Sequence, residues 1–291
     1  MTTTSSSSLI ATAFVLGSGI LWGLYWWPVR LLETQGLAGA WGTLAITGAA
    51  ACLFAPLVAL RRRRVDRSDI VSIVAIALGG VAFALYSIGF VYGRVAIIIL
   101  LFFLTPLWST LIARCVMGWQ TPPVRLLAIA VGLVGLGVML SADGEAPVPR
   151  NLGEWMALAS GLLWAISTTG IRSKSRLAAV EAAFTFAAGA ALTSLVLAPF
   201  LAPWPATATP SWPLIFATGA LFWGVSILGL MWATRRLDPA RVGILLMSEV
   251  LIGAATAAIF AGEALAPLEL LGGALVLMCG VLELWPTRAK A

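Results

Sequence analysis

The chain has 291 residues, of which 60% are hydrophobic and 10% are charged, and its mean hydropathy is +1.00. So little polar surface excludes a water-soluble globular protein and indicates a protein embedded in a lipid bilayer. The chain contains no histidine, which removes the commonest general base and the commonest metal ligand. The cysteines Cys52, Cys115 and Cys279 lie far apart in apolar segments and are interpreted as packing residues. We therefore expect no metal site and no cofactor.

Ten apolar segments follow one another along the chain, and each has the ~20 residues that a helix needs to cross the ~30 Å hydrocarbon core. They cover residues 9–31, 37–60, 69–91, 94–117, 123–141, 153–173, 180–202, 212–234, 239–261 and 267–286. The connections are short, and only residues 142–151 have the polar composition of a linker. The sequence thus predicts an all-α integral membrane protein with ten transmembrane helices.

An internal repeat divides these ten segments into two groups of five. Gly19–Arg30 and Gly161–Arg172 match without a gap and begin 142 residues apart. Shorter matches continue the repeat before spans four and nine, in Gly93–Ala96 and Ala240–Gly243. Because five is an odd number, the second copy must enter the membrane from the opposite side. We expect two inverted five-helix repeats, residues 1–147 and 148–291, and one chain is then enough to enclose a cavity.

The basic residues predict the orientation of the chain in the membrane. Fifteen of the 18 lie on the same side as both termini: Arg61 to Arg64, Arg67, Arg114, Arg125, Arg172, Lys174, Arg176, Arg235, Arg236, Arg241, Arg288 and Lys290. Basic loops resist translocation, so both termini are expected in the cytoplasm of a bacterial inner (plasma) membrane. The net charge of +6 then lies beside anionic lipid headgroups. No nucleic-acid partner is expected.

Aromatic residues in the middle of spans are the first candidates for a binding site. Trp22, Trp108, Trp164 and Trp223 each fall near mid-span, where an indole N–H needs a partner or a wet cavity. A shared cavity is one interpretation, and tight packing or lipid contact is the other. The predicted substrate-binding residues are Trp22, Trp26, Tyr86, Phe90, Phe102, Trp108, Trp164, Thr168, Trp223, Ser248 and Glu249.

Glu249 lies near the centre of span nine, where an ionised side chain costs at least ~2.5–3.5 kcal/mol on insertion scales. It therefore needs a partner, a proton or water. Two interpretations stay open: a ligand for an amino group or a carrier of protons that faces the cavity with Ser248 nearby, or a protonated group in a structural hydrogen bond. Pro28 and Pro106 are predicted to kink helices one and four and to act in gating.

Three short motifs and one basic residue carry a family resemblance: Leu21-Trp22-Gly23, Arg30, Thr105-Pro106-Leu107 and Ala261-Gly262-Glu263. They resemble the EamA-type branch of the drug/metabolite transporter superfamily, and within it the bacterial exporters of aromatic amino acids. The resemblance implies ten helices, residence in the inner membrane and export of aromatic and other neutral amino acids. The chain departs from the family pattern at Trp119, where the family has Glu, and at Val250, where it has Pro.

Three functions are therefore weighed. The favoured one is an exporter of neutral amino acids that works by alternating access. A proton-coupled exporter of other small amphipathic metabolites or lipophilic cations is the alternative, because a lone intramembrane Glu serves such exchange in smaller members of the superfamily. A membrane-embedded enzyme is not expected, since the chain lacks histidine, close midplane carboxylate pairs and a phosphate-binding loop.

Overall fold

The computed structural model describes residues 3–61, 66–116, 118, 123–142, 144, 147–174, 177–234, 236–237, 242 and 245–283, and every regular element in them is a helix. The helices are α1 (Thr3–Leu24), α2 (Trp26–Thr34), α3 (Trp41–Arg61), α4 (Ile70–Tyr92), α5 (Val95–Phe102), α6 (Thr105–Cys115), α7 (Pro123–Leu140), α8 (Leu152–Lys174), α9 (Ala179–Leu201), α10 (Trp212–Thr218), α11 (Ser226–Thr234), α12 (Ser248–Phe260) and α13 (Pro267–Glu283). A π-helical segment, Gly219–Val225, joins α10 to α11. The predicted all-helical class is confirmed.

Seven helical stretches within the described residues are long and apolar enough to cross a membrane, judged by length and composition. They are Ser8–Thr34, Trp41–Arg61, Ile70–Tyr92, Val95–Ile112, Pro123–Leu140, Ala179–Leu201 and Trp212–Leu230. Helix α8 is also 23 residues long but is the least apolar of the long helices. Helices α12 and α13 are apolar and shorter. The chain is thus a multi-pass helical protein, and the count of ten spans stays a prediction.

Two predicted spans are broken where the sequence places prolines. Helix α1 ends at Leu24 and α5 ends at Phe102, and these residues lie four positions before Pro28 and Pro106. A proline has no N–H for the carbonyl four residues earlier, and its ring clashes with that carbonyl. The Thr105 hydroxyl donates a 2.7 Å hydrogen bond to the Phe102 carbonyl that the break frees.

Span nine lies partly outside the described residues. Its described part is Val242, Leu245, Leu246 and α12, with a turn at Met247. Several other positions also lie outside: Arg62 to Arg64, the family position Trp119, the motif residues Ala240, Arg241 and Gly243, and the basic residues Arg176, Arg235, Arg288 and Lys290.

Glycines allow the helices to pack closely. Helix α4 packs against α8 and α9, α1 against α11 and α12, α3 against α9, and α7 against α13. A Cβ atom on Gly135 of α7 would lie 2.8 Å from the carbonyl oxygen of Gly272 in α13, and one on Gly272 would lie 2.6 Å from the carbonyl oxygen of Gly135. A larger residue at either position would force these two backbones apart.

Many helix ends meet at one end of the bundle, which we call the sealed end. The Trp41 indole donates to the Pro203 carbonyl at 3.0 Å, and the Tyr92 hydroxyl donates to the Leu201 carbonyl at 3.1 Å. Arg30 forms an ion pair with Glu263 at 2.9 Å. The sealed end therefore joins the ends of α2, α4 and α9 to the start of α3 and to the segment between α12 and α13.

Candidate functional site

Aromatic rings from several helices form a continuous cluster inside the bundle. Phe83 of α4 lies at its centre, with ring centroids 5.1 Å from Tyr25, 4.5 Å from Trp223 and 6.0 Å from Phe186. Tilted and edge-to-face contacts at such distances add about 0.5–1.5 kcal/mol per pair to the burial of the rings. The cluster thus ties the break between α1 and α2 to α4, α9 and the π-helical segment.

A second series of contacts closes the cluster into a ring of side chains. Tyr86 lies 4.6 Å from Phe102, and Phe102 lies 6.1 Å from Trp164. Trp164 lies 5.7 Å from Phe186, which contacts Phe83. We call the whole set the aromatic cluster: Tyr25, Phe83, Tyr86, Phe90, Phe102, Trp164, Phe186 and Trp223.

Glu249 adjoins this cluster. Its side chain is only 3% exposed, and its Oε1 accepts a 2.9 Å hydrogen bond from the Tyr86 hydroxyl. The residue lies in the first turn of α12, where the helix dipole favours a negative charge. Within the described residues it has no basic partner, and no lysine or arginine is among their buried side chains. Glu249 is thus a buried acid held by one phenol.

Small residues of α1 allow this acid to lie deep in the bundle. A Cβ atom on Gly19 would meet Ser248 and Glu249, and one on Gly23 would lie 2.7 Å from the Glu249 carbonyl oxygen. Helices α1 and α12 therefore cross in direct backbone contact at the site. The Ser248 hydroxyl is buried there and has no hydrogen-bond partner among the described residues.

Two of the predicted tryptophans satisfy their N–H groups by bonds between helices. Trp22 Nε1 donates to the Ser226 hydroxyl at 3.0 Å, and Trp26 Nε1 donates to the Thr256 hydroxyl at 3.0 Å. A wet cavity is not needed to explain either indole. Their positions beside α11 and α12 favour a role in helix packing over direct contact with a solute.

The remaining predicted residues divide between the cluster and its surroundings. The structure brings together Tyr86, Phe90, Phe102, Trp164, Trp223 and Glu249. Thr168 lies outside this group, with its hydroxyl bonded to the Trp164 carbonyl of its own helix at 2.9 Å. The Trp108 ring packs against the apolar core, and its buried Nε1 has no partner in the described part of the chain.

Sequence reasoning missed three members of the cluster, Tyr25, Phe83 and Phe186. Phe83 precedes Tyr86 by one helical turn, so a longer stripe on that face would have identified it. Tyr25 lies in the break before Pro28. The proline predicts the break but not the direction in which the Tyr25 side chain points. Nothing in the sequence of α9 distinguishes Phe186.

A row of neutral hydroxyl groups borders the cluster. The Thr43 and Ser87 hydroxyls lie 2.8 Å apart, and the Ser87 and Tyr25 hydroxyls lie 3.2 Å apart. All three side chains are buried. The row therefore joins α3, α4 and the break after α1 through polar atoms that have no contact with water.

Two crevices open elsewhere, in the half of the bundle farther from the sealed end. One, of about 560 Å³, lies between α1, α3 and α11 and is lined by apolar residues that include Phe14, Leu57 and Trp232. The other, of about 440 Å³, lies between α3, α4 and α9 and includes Ile73 and Glu181. Neither is lined by Glu249 or by a residue of the aromatic cluster.

Comparison with known proteins supports the fold alone. No family model matches the sequence, and no curated protein matches it. Fifteen chains of solved structures match. One is described only as the crystal structure of a protein; it is 17% identical, with a TM-score of 0.58 over 96% of this chain and 98% of its own. The whole chain is thus similar in fold to a protein of nearly the same extent, and no function follows from that similarity.

Proposed function

We propose that this protein is a transporter that exports aromatic and other neutral amino acids by alternating access of two inverted five-helix repeats. The observation that best supports this proposal is a buried acid, Glu249, which is hydrogen-bonded to Tyr86 beside a cluster of aromatic rings. The rings provide a surface for an apolar or aromatic side chain, and the acid provides a ligand for an ammonium group.

Paired contacts between the halves support the inverted repeats. Gly19 packs against Ser248 and Glu249, and its repeat counterpart Gly161 packs against the backbone of Leu101 and Phe102. The two pairs of partners are 147 residues apart, the same spacing that separates the sequence matches before spans four and nine. A twofold relation between the halves requires such exchanged contacts.

A second set of contacts repeats the pattern. A Cβ atom on Gly80 of α4 would meet the α9 backbone at Phe186 and Ala190, and one on Gly219 would meet the α3 backbone at Ala50. Ala50 and Ala190 are 140 residues apart. The reciprocal contact between α7 and α13 fits the same axis, because each helix presents the equivalent glycine to the other.

The location of the acid and the cluster suits a carrier. Glu249 belongs to the second proposed repeat and its partner Tyr86 to the first, so a relative movement of the repeats would change their contact. Contacts between a solute and uncharged aromatic rings are weak, so a bound solute dissociates readily. Export requires such release. The sealed end would face away from the cytoplasm if the basic loops face it.

A second candidate is export of lipophilic cations, with or without proton exchange. It is favoured by one observation, the lack of a basic partner for Glu249 among the described residues. A carboxylate surrounded by rings is also a suitable site for a quaternary ammonium group. For either cargo, we propose that the protein resides in the bacterial inner membrane, has both termini in the cytoplasm and works as a single chain. Proton coupling is part of the second candidate.

Flux into liposomes tests these assignments. Purified protein in proteoliposomes is expected to give saturable counterflow of labelled phenylalanine, and Glu249→Gln is expected to lower it by at least about tenfold, since one charge-assisted bond is worth about 1.5–3 kcal/mol. The matched control is Glu33→Gln, a carboxyl-to-amide change outside the cluster. If folded protein gives no saturable amino-acid flux, the assignment is wrong. Loss of quaternary ammonium flux alone in Glu249→Gln would favour the second candidate.

A further inference from the structure

The row of hydroxyls beside the aromatic cluster leaves one of its protons without an acceptor among the described residues. Thr43, Ser87 and Tyr25 carry three hydroxyl protons, and the two contacts between them use two. Among the described residues no other acceptor takes the third proton. A buried donor without an acceptor is costly, so this row is suited to a group that brings lone pairs.

The Trp223 indole adds a second donor at the same place. Its side chain is 1% exposed, and its Nε1 has no partner in hydrogen-bonding geometry within the described residues. The Trp223 N–H approaches the Tyr25 hydroxyl oxygen but lacks the geometry of a hydrogen bond, and the indole ring packs on Phe83 at 4.5 Å. Two kinds of neutral donor thus converge on one point, with no basic residue among the buried side chains described.

This point lies beside Glu249. Phe83 contacts the rings of both Tyr25 and Tyr86, at 5.1 Å and 6.4 Å, and Tyr86 donates to the Glu249 carboxylate. An acceptor-rich point and a donor-rich point therefore lie on the two sides of one phenylalanine.

We propose that Tyr25, Ser87, Thr43 and Trp223 form a second subsite that binds the carboxylate of an α-amino acid, while Glu249 binds its ammonium group. In an α-amino acid both charged groups are bonded to the same carbon atom, so one solute in the place of the Phe83 ring, between Tyr25 and Tyr86, would reach both points. Neutral donors bind a carboxylate without the desolvation cost of a buried arginine. Entry of the solute requires Phe83 to move away from Trp223.

This inference deepens the proposed function and rests on it. The subsite would select zwitterions, because an amine without a carboxylate leaves one hydroxyl proton and the Trp223 N–H unpaired. An acid without an amine would leave Glu249 without its partner. Selection would therefore depend on both ends of the solute.

Three matched solutes test the subsite: labelled phenylalanine, phenethylamine, which lacks the carboxylate, and 3-phenylpropionate, which lacks the amine. Counterflow by the wild-type protein is expected to favour phenylalanine over both by at least about tenfold in flux divided by KM. Tyr25→Phe is expected to raise the KM for phenylalanine about tenfold and that for phenethylamine less than twofold.

Thr43→Val removes another donor of the row and is expected to act in the same direction. Thr193→Val on α9 is its matched control, because among the described residues that hydroxyl bonds to the Gly189 carbonyl of its own helix. If Tyr25→Phe does not purify as folded protein, Ser87→Ala replaces it. Glu249→Gln should impair phenylalanine and phenethylamine alike.

The outcomes separate this proposal from the proposed function. Equal KM changes for phenylalanine and phenethylamine in Tyr25→Phe and Thr43→Val, or wild-type flux of phenethylamine equal to that of phenylalanine, would overturn the carboxylate subsite and leave an amine transporter. No saturable flux of any of the three solutes would overturn the proposed function itself. Selective loss of phenylalanine supports both.

Discussion

The sealed end and the half of the bundle with the two crevices are held together by different forces. At the sealed end, ion pairs and side chain to backbone bonds connect helices that are distant in sequence. In the other half, apolar side chains such as Phe14, Leu57 and Trp232 border open space. Ion pairs can be broken and remade with water, whereas apolar crevices close without directional bonds. Under the proposed transport function, the sealed end would be the closed entrance and the half with the crevices the one that opens.

Glu263 is the central residue of the sealed end. It pairs with Arg30 and accepts a 3.1 Å hydrogen bond from the backbone N–H of Val95, the first residue of α5. Its side chain is 10% exposed and that of Arg30 is 29% exposed. A carboxylate at a helix N-terminus is stabilised by the free N–H groups there. Glu263 thus joins α2, α5 and the segment after α12 at one point.

Glu263→Ala should have the largest effect, a loss of stability at the sealed end. It removes the carboxylate partner of Arg30, which keeps its bonds to the Phe90 and Gly93 carbonyls, and it leaves the start of α5 uncapped. We expect a loss of stability of about 1–3 kcal/mol, less than for a fully buried pair because Arg30 is partly solvated. The transition temperature of the purified protein measures this loss. Glu33→Gln at the same end is the control. An equal decrease of the transition temperature in both variants would show that the contacts of Glu263 do not stabilise the sealed end more than those of Glu33.

Arg94→Lys should have a smaller effect of about 1 kcal/mol. Arg94 binds Glu269 through two nitrogens, at 2.5 Å and 3.1 Å, and also donates to the Ala264 carbonyl at 2.7 Å. A lysine keeps the charge but cannot make the forked contact. Faster reaction of a cysteine in place of the half-buried Ala266, beside Glu269, with a maleimide added from the side of the sealed end would report a looser sealed end. An unchanged rate would indicate that the charge alone holds this end.

Gly224→Ala tests the crevice half and should have the smallest effect. No atom lies within 4 Å of a Cβ atom added there, so we expect a gain of about 0.5–1 kcal/mol from the lower entropy of the unfolded chain. Gly80→Ala is the contrasting change, since its Cβ atom would collide with the α9 backbone. Equal transition temperatures for the two variants would contradict the open crevice.

Local signals in the sequence predicted the helical fold and the two breaks correctly. Pro28 and Pro106 each break a helix at the residue four positions earlier, because that effect is confined to one turn. The approach of Tyr86 to Glu249 spans 163 residues, and no local pattern predicts it. Both residues were nevertheless in the predicted site. Glu249 was included because an acid inside an apolar span needs a partner, and Tyr86 because it shares a helix face with Phe90.

The same reasoning explains the incomplete parts of the prediction. An indole N–H in the middle of a span needs a hydrogen-bond partner, and for Trp22 that partner is the Ser226 hydroxyl. Nothing in the sequence distinguishes Ser226 from the other serines. Helix α8 fell short of the apolar composition expected for a span. It carries Glu154, which accepts a 2.8 Å bond from the Arg150 backbone N–H at its start.

The most direct test of inverted insertion is to determine on which side of the membrane the second span ends and on which side the seventh span ends. Single cysteines at Arg67 and Ala206, in a chain whose native cysteines are replaced, follow α3 and α9 and are exposed. Inverted repeats predict that an impermeant maleimide added to intact cells labels position 206 and labels position 67 only after the cells are opened. Labelling of both positions from the same side would contradict inverted insertion, and with it the transport mechanism built on two opposed halves.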